Sequence, residues 1–209
     1  FLFSPIPMYA QYGAVVATIA VEIVVLTVIV NFFGTLHGRS DAMRGNLAVR
    51  WFYTGMVMYA ITCFQCAFQV TLTFQKVIHF TDWVVGHAHM VMFGVFGFWI
   101  FGLFVELWPR VCGRPWAQPQ LLTLHYWLTL WGLALMIIDL TAAGLVQGFS
   151  WGALSHWGDS VLASMPFWWV RTVSGILIVG AQFIFFYALW VTARQPATAA
   201  EGATVAATA

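Results

Sequence analysis

The chain has 209 residues, of which 62% are hydrophobic, 18% aromatic and only 7% charged, with eight Lys/Arg against seven Asp/Glu. Soluble domains carry about a quarter charged residues, so lipid rather than water is the expected solvent for most of this surface. The absence of a basic stripe excludes a nucleic-acid-binding face, and three cysteines are too few for a disulfide scaffold.

A helix needs about 20 apolar residues to cross the hydrocarbon layer. Five stretches qualify, at residues 9–33, 49–72, 84–107, 121–146 and 167–192. The spacing predicts an all-α polytopic transmembrane bundle over residues 1–193. Turn-like segments separate the spans at 34–46, 73–82, the proline-bearing 108–120, and a longer connection at 147–166. Residues 194–209 are Ala/Thr-rich and lack periodicity, which predicts a disordered tail. No internal repeat is present. The first residue is Phe1, with no signal-peptide pattern before the first apolar run, so the chain is expected to be processed or part of a longer polypeptide.

Basic residues flanking the spans set the expected orientation. Arg39, Arg44, Arg50, Arg110, Arg114 and Arg194 fall on one side, read as inner, and Lys76 and Arg171 on the other.

The first span carries a carboxylate, Glu22, and the fourth another, Asp139. Each is either a proton relay or a neutral group bonded to a neighbouring helix. In the second span Tyr59, Thr62, Gln65 with Cys66, Gln69 and Thr73 recur at three- and four-residue spacing, which is one helical face. Such a stripe either packs against a neighbouring helix or lines a hydrated path. Cys63 and Cys66 spell CxxC, but inside a span, without a second pair, they read as structural thiols.

The third span opens His79-Phe80-Thr81-Asp82-Trp83-Val84-Val85-Gly86-His87-Ala88-His89-Met90. Two histidines inside an apolar helix are costly and point to partners; neutral imidazole is a common metal and haem ligand. Residues i and i+2 on a helix are about 200° apart and about 3 Å apart along the axis. His87 and His89 therefore cannot share one metal without unwinding the helix, but they can hold two cofactors, one per face, at nearly equal depth. The alternative is that each bonds a neighbouring helix. Gly86, Gly94 and Gly97 thin the helix for a flat macrocycle or for another helix. Asp82 is placed to cap the span with its carboxylate.

The run from His79 to Trp83 followed by Gly86-His87-Ala88-His89 resembles the tenth helix of the haem-copper oxidase catalytic subunit, above all its C-family, the cbb3-type cytochrome c oxidases. Further matches are Pro7 with Ala10-Gln11, Tyr59 and Phe64, Trp108-Pro109-Arg110 with Gly113-Arg114, His125-Tyr126-Trp127-Leu128, Gly144 with Gln147-Gly148, and Val170-Arg171. The five spans resemble the last five of a subunit of about twelve helices.

The resemblance implies a respiratory terminal oxidoreductase, reducing dioxygen to water with electrons from cytochrome c-type donors and coupled to proton uptake. It implies two b-type haems, with His87 the axial ligand of the high-spin haem and His89 one axial ligand of the low-spin haem. His79, Asp82 and Arg171 fall in the haem-propionate region. The copper, its ligands and the second low-spin ligand belong to the N-terminal half of the same subunit, outside this chain. Membrane-anchored cytochrome c subunits are the implied partners, and a bacterial inner membrane the implied location. Tyr59 matches a tyrosine of the family's proton route, but a glutamate of that route is replaced here by Gln65, which cannot release a proton. Nitric oxide reductase, with non-haem iron in place of copper, is the second enzyme reading. A membrane haem-b electron carrier is the non-enzymatic one, and a proton-coupled transporter using His87, His89, Glu22 and Asp139 is a fourth.

Overall fold

A computed structural model describes residues 2–196 of the chain. In chain order it consists of α1 (Met8–Leu36), the short α2 (Ser40–Gly45), α3 (Leu47–Gln69), the short α4 (Leu72–Ile78), and α5 (Asp82–His89). A π-helical segment (Met90–Gly97) then runs into α6 (Phe98–Cys112), followed by α7 (Pro119–Gly152) and α8 (Trp157–Ala193). Five helices are long and apolar enough to cross a membrane, with α5, the π segment and α6 forming one continuous span, Asp82–Cys112. The chain is an all-α integral membrane bundle. Residues 197–209, most of the tail expected to be disordered, lie outside the described residues.

Local sequence explains where these helices begin and end. Asn46 caps α3, its Oδ1 accepting from the N–H groups of Ala48 (2.8 Å) and Val49 (3.3 Å). Pro119 occupies the first turn of α7, where a missing N–H costs nothing. Gly113 stops α6 in the left-handed region, at φ +61°.

Four expected connections are corrected; the 108–120 segment shrinks to 113–118, because α6 runs through Pro109 to Cys112 and α7 begins at Pro119. The 147–166 connection shrinks to residues 153–156, because α7 continues to Gly152 and α8 begins at Trp157, passing through Pro166. The polar and glycine residues that suggest a loop are interhelical contacts instead: Gln147, Gly148, Ser160 and Ser164 are all buried. Segments 34–46 and 73–82 likewise each contain a short helix, α2 and α4.

At the end of the bundle carrying Arg50, Trp51 is fully buried, with its ring edge-on to Phe98 (4.7 Å between centroids) and Tyr126 (4.9 Å). The Arg114 guanidinium donates to the Ala193 carbonyl, and the Ala117 N–H donates to Thr192 Oγ1 at 3.2 Å, which fastens the α6–α7 connection to the end of α8. At the opposite end, α7 approaches α4 and α5 closely. A Cβ on Gly148 would lie 1.9 Å from the Val77 carbonyl oxygen, and one on Gly144 2.0 Å from the Trp83 nitrogen. These two glycines let α7 press its backbone against the chain on either side of Asp82.

Candidate functional site

The two histidines of α5 face different surroundings. His87 is half-buried and turned toward α3, where its Nδ1 lies 3.0 Å from Gln65 Oε1 and its Nε2 lies 3.6 Å from Cys66 Sγ. An amide oxygen only accepts, so His87 Nδ1 carries the proton and Nε2 keeps its lone pair. His89 is exposed on this chain, with Nδ1 2.8 Å from the Val85 carbonyl oxygen, four residues back in the same helix. That carbonyl also only accepts, so His89 Nδ1 carries a proton and Nε2 is left as the ring nitrogen able to meet a metal. Metal-ligating histidines characteristically donate their other ring N–H to a fixed oxygen in this way.

The donor set fits haem iron: two imidazoles, each with Nδ1 committed to an oxygen and Nε2 left for a metal, on different sides of one helix. Among the described residues no three His, Cys, Asp or Glu side chains are grouped so as to hold a metal ion. Beside the Cys66 flank of His87, a cleft of about 360 Å³ is bounded by residues that include Ala14 and Thr18 of α1, Cys66 and Gln69 of α3, and Val84 of α5.

Two glycines of the third span, Gly86 and Gly94, let neighbouring helices approach. A Cβ on Gly86 would meet Leu140 Cβ at 3.1 Å, and one on Gly94 would meet Leu133 Cδ2 at 3.2 Å. Gly97 faces the Phe93 side chain of its own helix, at 3.1 Å.

Asp82 departs from its expected capping role. Thr81 caps α5 instead, its Oγ1 accepting from the Trp83 N–H at 3.3 Å. The Asp82 carboxylate is drawn into the α7–α8 interface, where Oδ2 accepts from Gln147 Nε2 (2.7 Å) and Trp168 Nε1 (3.0 Å). Gln147 Oε1 accepts in turn from the Asp82 backbone N–H at 2.8 Å, and its Nε2 also donates to Ser164 Oγ at 3.3 Å. Indole and amide donors outcompete the helix's own N–H groups because the carboxylate faces them across a close helix contact. His79 ends α4, with Nδ1 3.2 Å from Gln75 Nε2 and its ring against Phe80 and Phe3. Arg171 is exposed on α8, within electrostatic range of Asp139 on α7. Asp139 is buried, and its Oδ2 has no hydrogen-bond partner.

The polar stripe of the second span turns toward His87. Tyr59 lies one turn before Cys63, Gln69 Nε2 reaches Cys66 Sγ at 3.9 Å, and Gln65 and Cys66 contact the two nitrogens of His87. Thr73 leaves this face, because α3 stops at Gln69 and Thr73 belongs to α4. Glu22 of α1 lies within electrostatic range of Tyr59, Cys63 and Cys66, and its buried Oε2 has no partner. All three cysteines are free.

Four contacts escape sequence reasoning in different degrees. Val85 is readable as an acceptor for His89, since it lies four residues earlier on the helix. Gln147 carries a signal as part of the Gly144 to Gly148 match. Trp168 and Cys66 carry none, because their partners lie on other helices.

Residues 1–177 match the family model of cytochrome c and quinol oxidase polypeptide I. The cytochrome c oxidase subunit 1 of Rhodobacter capsulatus is 30% identical over 179 residues, covering 81% of this chain and 34% of that protein. A cbb3-type cytochrome c oxidase subunit of Stutzerimonas stutzeri is 26% identical over 205 residues, covering 93% of this chain and 43% of that protein. A solved haem-copper terminal oxidase dimer shares the fold, with a TM-score of 0.60 at 19% identity over 72% of this chain and 27% of that one. The chain belongs to the cytochrome c and quinol oxidase polypeptide I family. It spans 34% and 43% of the length of those two relatives.

Proposed function

We propose that this chain supplies the haem-ligating helices of a cbb3-type terminal oxidase, which reduces dioxygen to water with electrons from membrane-anchored cytochrome c subunits in a bacterial inner membrane. The observation that carries it is the matched seating of His87 and His89, each with Nδ1 held by an oxygen, which leaves Nε2 as the ring nitrogen for a metal. His87 is assigned to a high-spin b-type haem and His89 to one axial position of a low-spin b-type haem. Copper, its ligands and the second low-spin ligand are assigned to the rest of the subunit. When bound, the haems supply one-electron transfer and an iron centre for dioxygen.

This chain's own residues hold and orient. Gln65 and the Val85 carbonyl set the two imidazole planes, while Asp82, Gln147 and Trp168 lock the start of α5 between α7 and α8. His79, Asp82 and Arg171 are assigned to the propionate region, where cationic and N–H groups stabilise carboxylates. For protons taken from the inner side, Tyr59 and Gln65 lie along the stripe that leads to His87, and Glu22 beside Tyr59 and Cys63 is the carboxylate able to hold one.

Nitric oxide reduction, with non-haem iron as the second metal, is the second reading. Gln65 favours it, because a neutral amide stands where the oxidase route has a carboxylate.

The test is optical. In the purified reduced complex, carbon monoxide is expected to bind one haem and leave a second unperturbed, and reduced cytochrome c is expected to support oxygen consumption. A bis-histidine electron carrier would be silent to carbon monoxide, and a transporter would show no Soret band; either result overturns the proposal. Turnover of nitric oxide without oxygen consumption selects the second reading.

A further inference from the structure

We propose that Gln65 is the positioning residue of His87, and that its neutral amide oxygen makes His87 a weak electron donor to the iron it ligates. The inference rests on the assignment of His87 to the high-spin haem and adds what the contact across α3 and α5 does to that ligand.

The geometry carries it in three steps. First, Gln65 Oε1 accepts from His87 Nδ1 at 3.0 Å, which fixes the tautomer and the ring plane together. Second, the acceptor bears no charge. A carboxylate at this position would draw the Nδ1 proton toward itself, give the ring imidazolate character and strengthen its donation to a metal at Nε2; an amide oxygen does so far less. Third, the neighbouring Cys66 Sγ stands 3.6 Å from Nε2, so α3 grips both nitrogens of this ring. A metal held at Nε2 would take the place of the Cys66 contact, while Gln65 would keep hold of Nδ1.

His89 provides an internal control. Its Nδ1 acceptor is the Val85 carbonyl of its own helix, 2.8 Å away, which no side-chain substitution removes. The two ligands therefore differ in kind: His87 is tuned from another helix, His89 by its own backbone. Gln65 is held in register because α3 packs tightly on the third span. A Cβ on Gly55 would lie 2.5 Å from the Trp99 ring, and one on Gly94 would lie 3.4 Å from Met58.

The experiment uses the purified holo-complex and the substitutions Gln65→Glu, Gln65→Leu and Cys66→Ala. Its readouts are the iron–histidine stretching band of the reduced high-spin haem by resonance Raman and the midpoint potential of each haem. Gln65→Glu is expected to raise the stretching frequency and lower the high-spin potential. Gln65→Leu is expected to lower and broaden the band as the ring loses its anchor. Cys66→Ala is expected to leave band and potential as in the wild type, and the low-spin haem is expected to be unmoved throughout. If Gln65→Leu fails to retain haem, Gln65→Glu, which has the same shape, decides alone. An unshifted band and potential in Gln65→Glu, with carbon monoxide binding intact, overturns this role while leaving the oxidase reading standing. Absence of a carbon monoxide-binding haem in the wild type overturns both.

Discussion

Asp82 and Gln147, 65 residues apart in sequence, exchange two hydrogen bonds: the Asp82 N–H donates to Gln147 Oε1 at 2.8 Å, and Gln147 Nε2 donates to Asp82 Oδ2 at 2.7 Å. The pair joins the first residue of the histidine-bearing helix to α7, and Trp168 brings in α8 through the same oxygen. The start of the helix that carries His87 and His89 is thus anchored five and seven residues upstream of them, by the Asp82–Gln147 pair.

Removing the amide should loosen that joint. Gln147→Leu is expected to destabilise the detergent-solubilised complex by roughly 2 to 3 kcal/mol, since it strips a charged, part-buried acceptor of a partner and orphans the Asp82 N–H. Asp82→Asn keeps an oxygen for Trp168 or Gln147 and is expected to cost about 1 kcal/mol. Thermal unfolding followed by haem release and near-ultraviolet dichroism measures both, and unchanged stability in Asp82→Asn would show that the charge contributes nothing.

The glycines beside that joint admit no side chain. Gly148→Ala sets a methyl 1.9 Å from the Val77 carbonyl oxygen, a backbone atom that cannot rotate away. A loss of at least about 3 kcal/mol is expected, at or above the usual cost of overpacking. Gly180, where an added methyl would meet nothing within 4 Å, is the matched control; Gly180→Ala is expected to remain within about 1 kcal/mol of the wild type. The same unfolding measurement compares them.

The opposed ring directions predict separable spectra. His89→Ala is expected to abolish the low-spin haem band and keep the carbon monoxide response, and His87→Ala to do the reverse. Loss of both signals from either substitution, in a complex that still folds, would mean that one histidine does not serve one haem.

Glu22 supplies a kinetic prediction. Its Oε2 is buried without a partner and lies within electrostatic range of Tyr59 and Cys63. Glu22→Gln preserves shape but cannot exchange a proton, so it is expected to slow proton uptake during turnover by about tenfold or more, the scale of losing one positioned acid–base group. Glu22→Asp is expected to recover part of the rate. Stopped-flow with a pH dye reads uptake, and an unchanged rate in Glu22→Gln would remove Glu22 from the path.

Helix identity is legible wherever a long apolar run meets a cap or a break: Asn46, Pro119 and Gly113 mark their boundaries by known local chemistry. The i, i+2 spacing of His87 and His89 places their rings apart, because that follows from helix geometry alone. Legibility fails where a residue's role depends on another helix. Gln147 and Gly148 look like loop residues in isolation and are contact residues in the bundle. Asp82 looks like a cap and is a cross-link. Gln65 looks like a gap in a proton route, and its oxygen turns out to hold the His87 ring. In a membrane interior a polar group must find its partner within the protein, so the partner's identity is a property of the packing.

His87 and His89 belong to the same final turn of α5, with Ala88 between them. Their separation is therefore dictated by two peptide units, and sliding or tilting of neighbouring helices leaves it unchanged. Any rearrangement that accompanies turnover must carry both rings together, like two hands of one clock. An electron hopping between the assigned centres would meet a gap that thermal motion of the bundle hardly modulates.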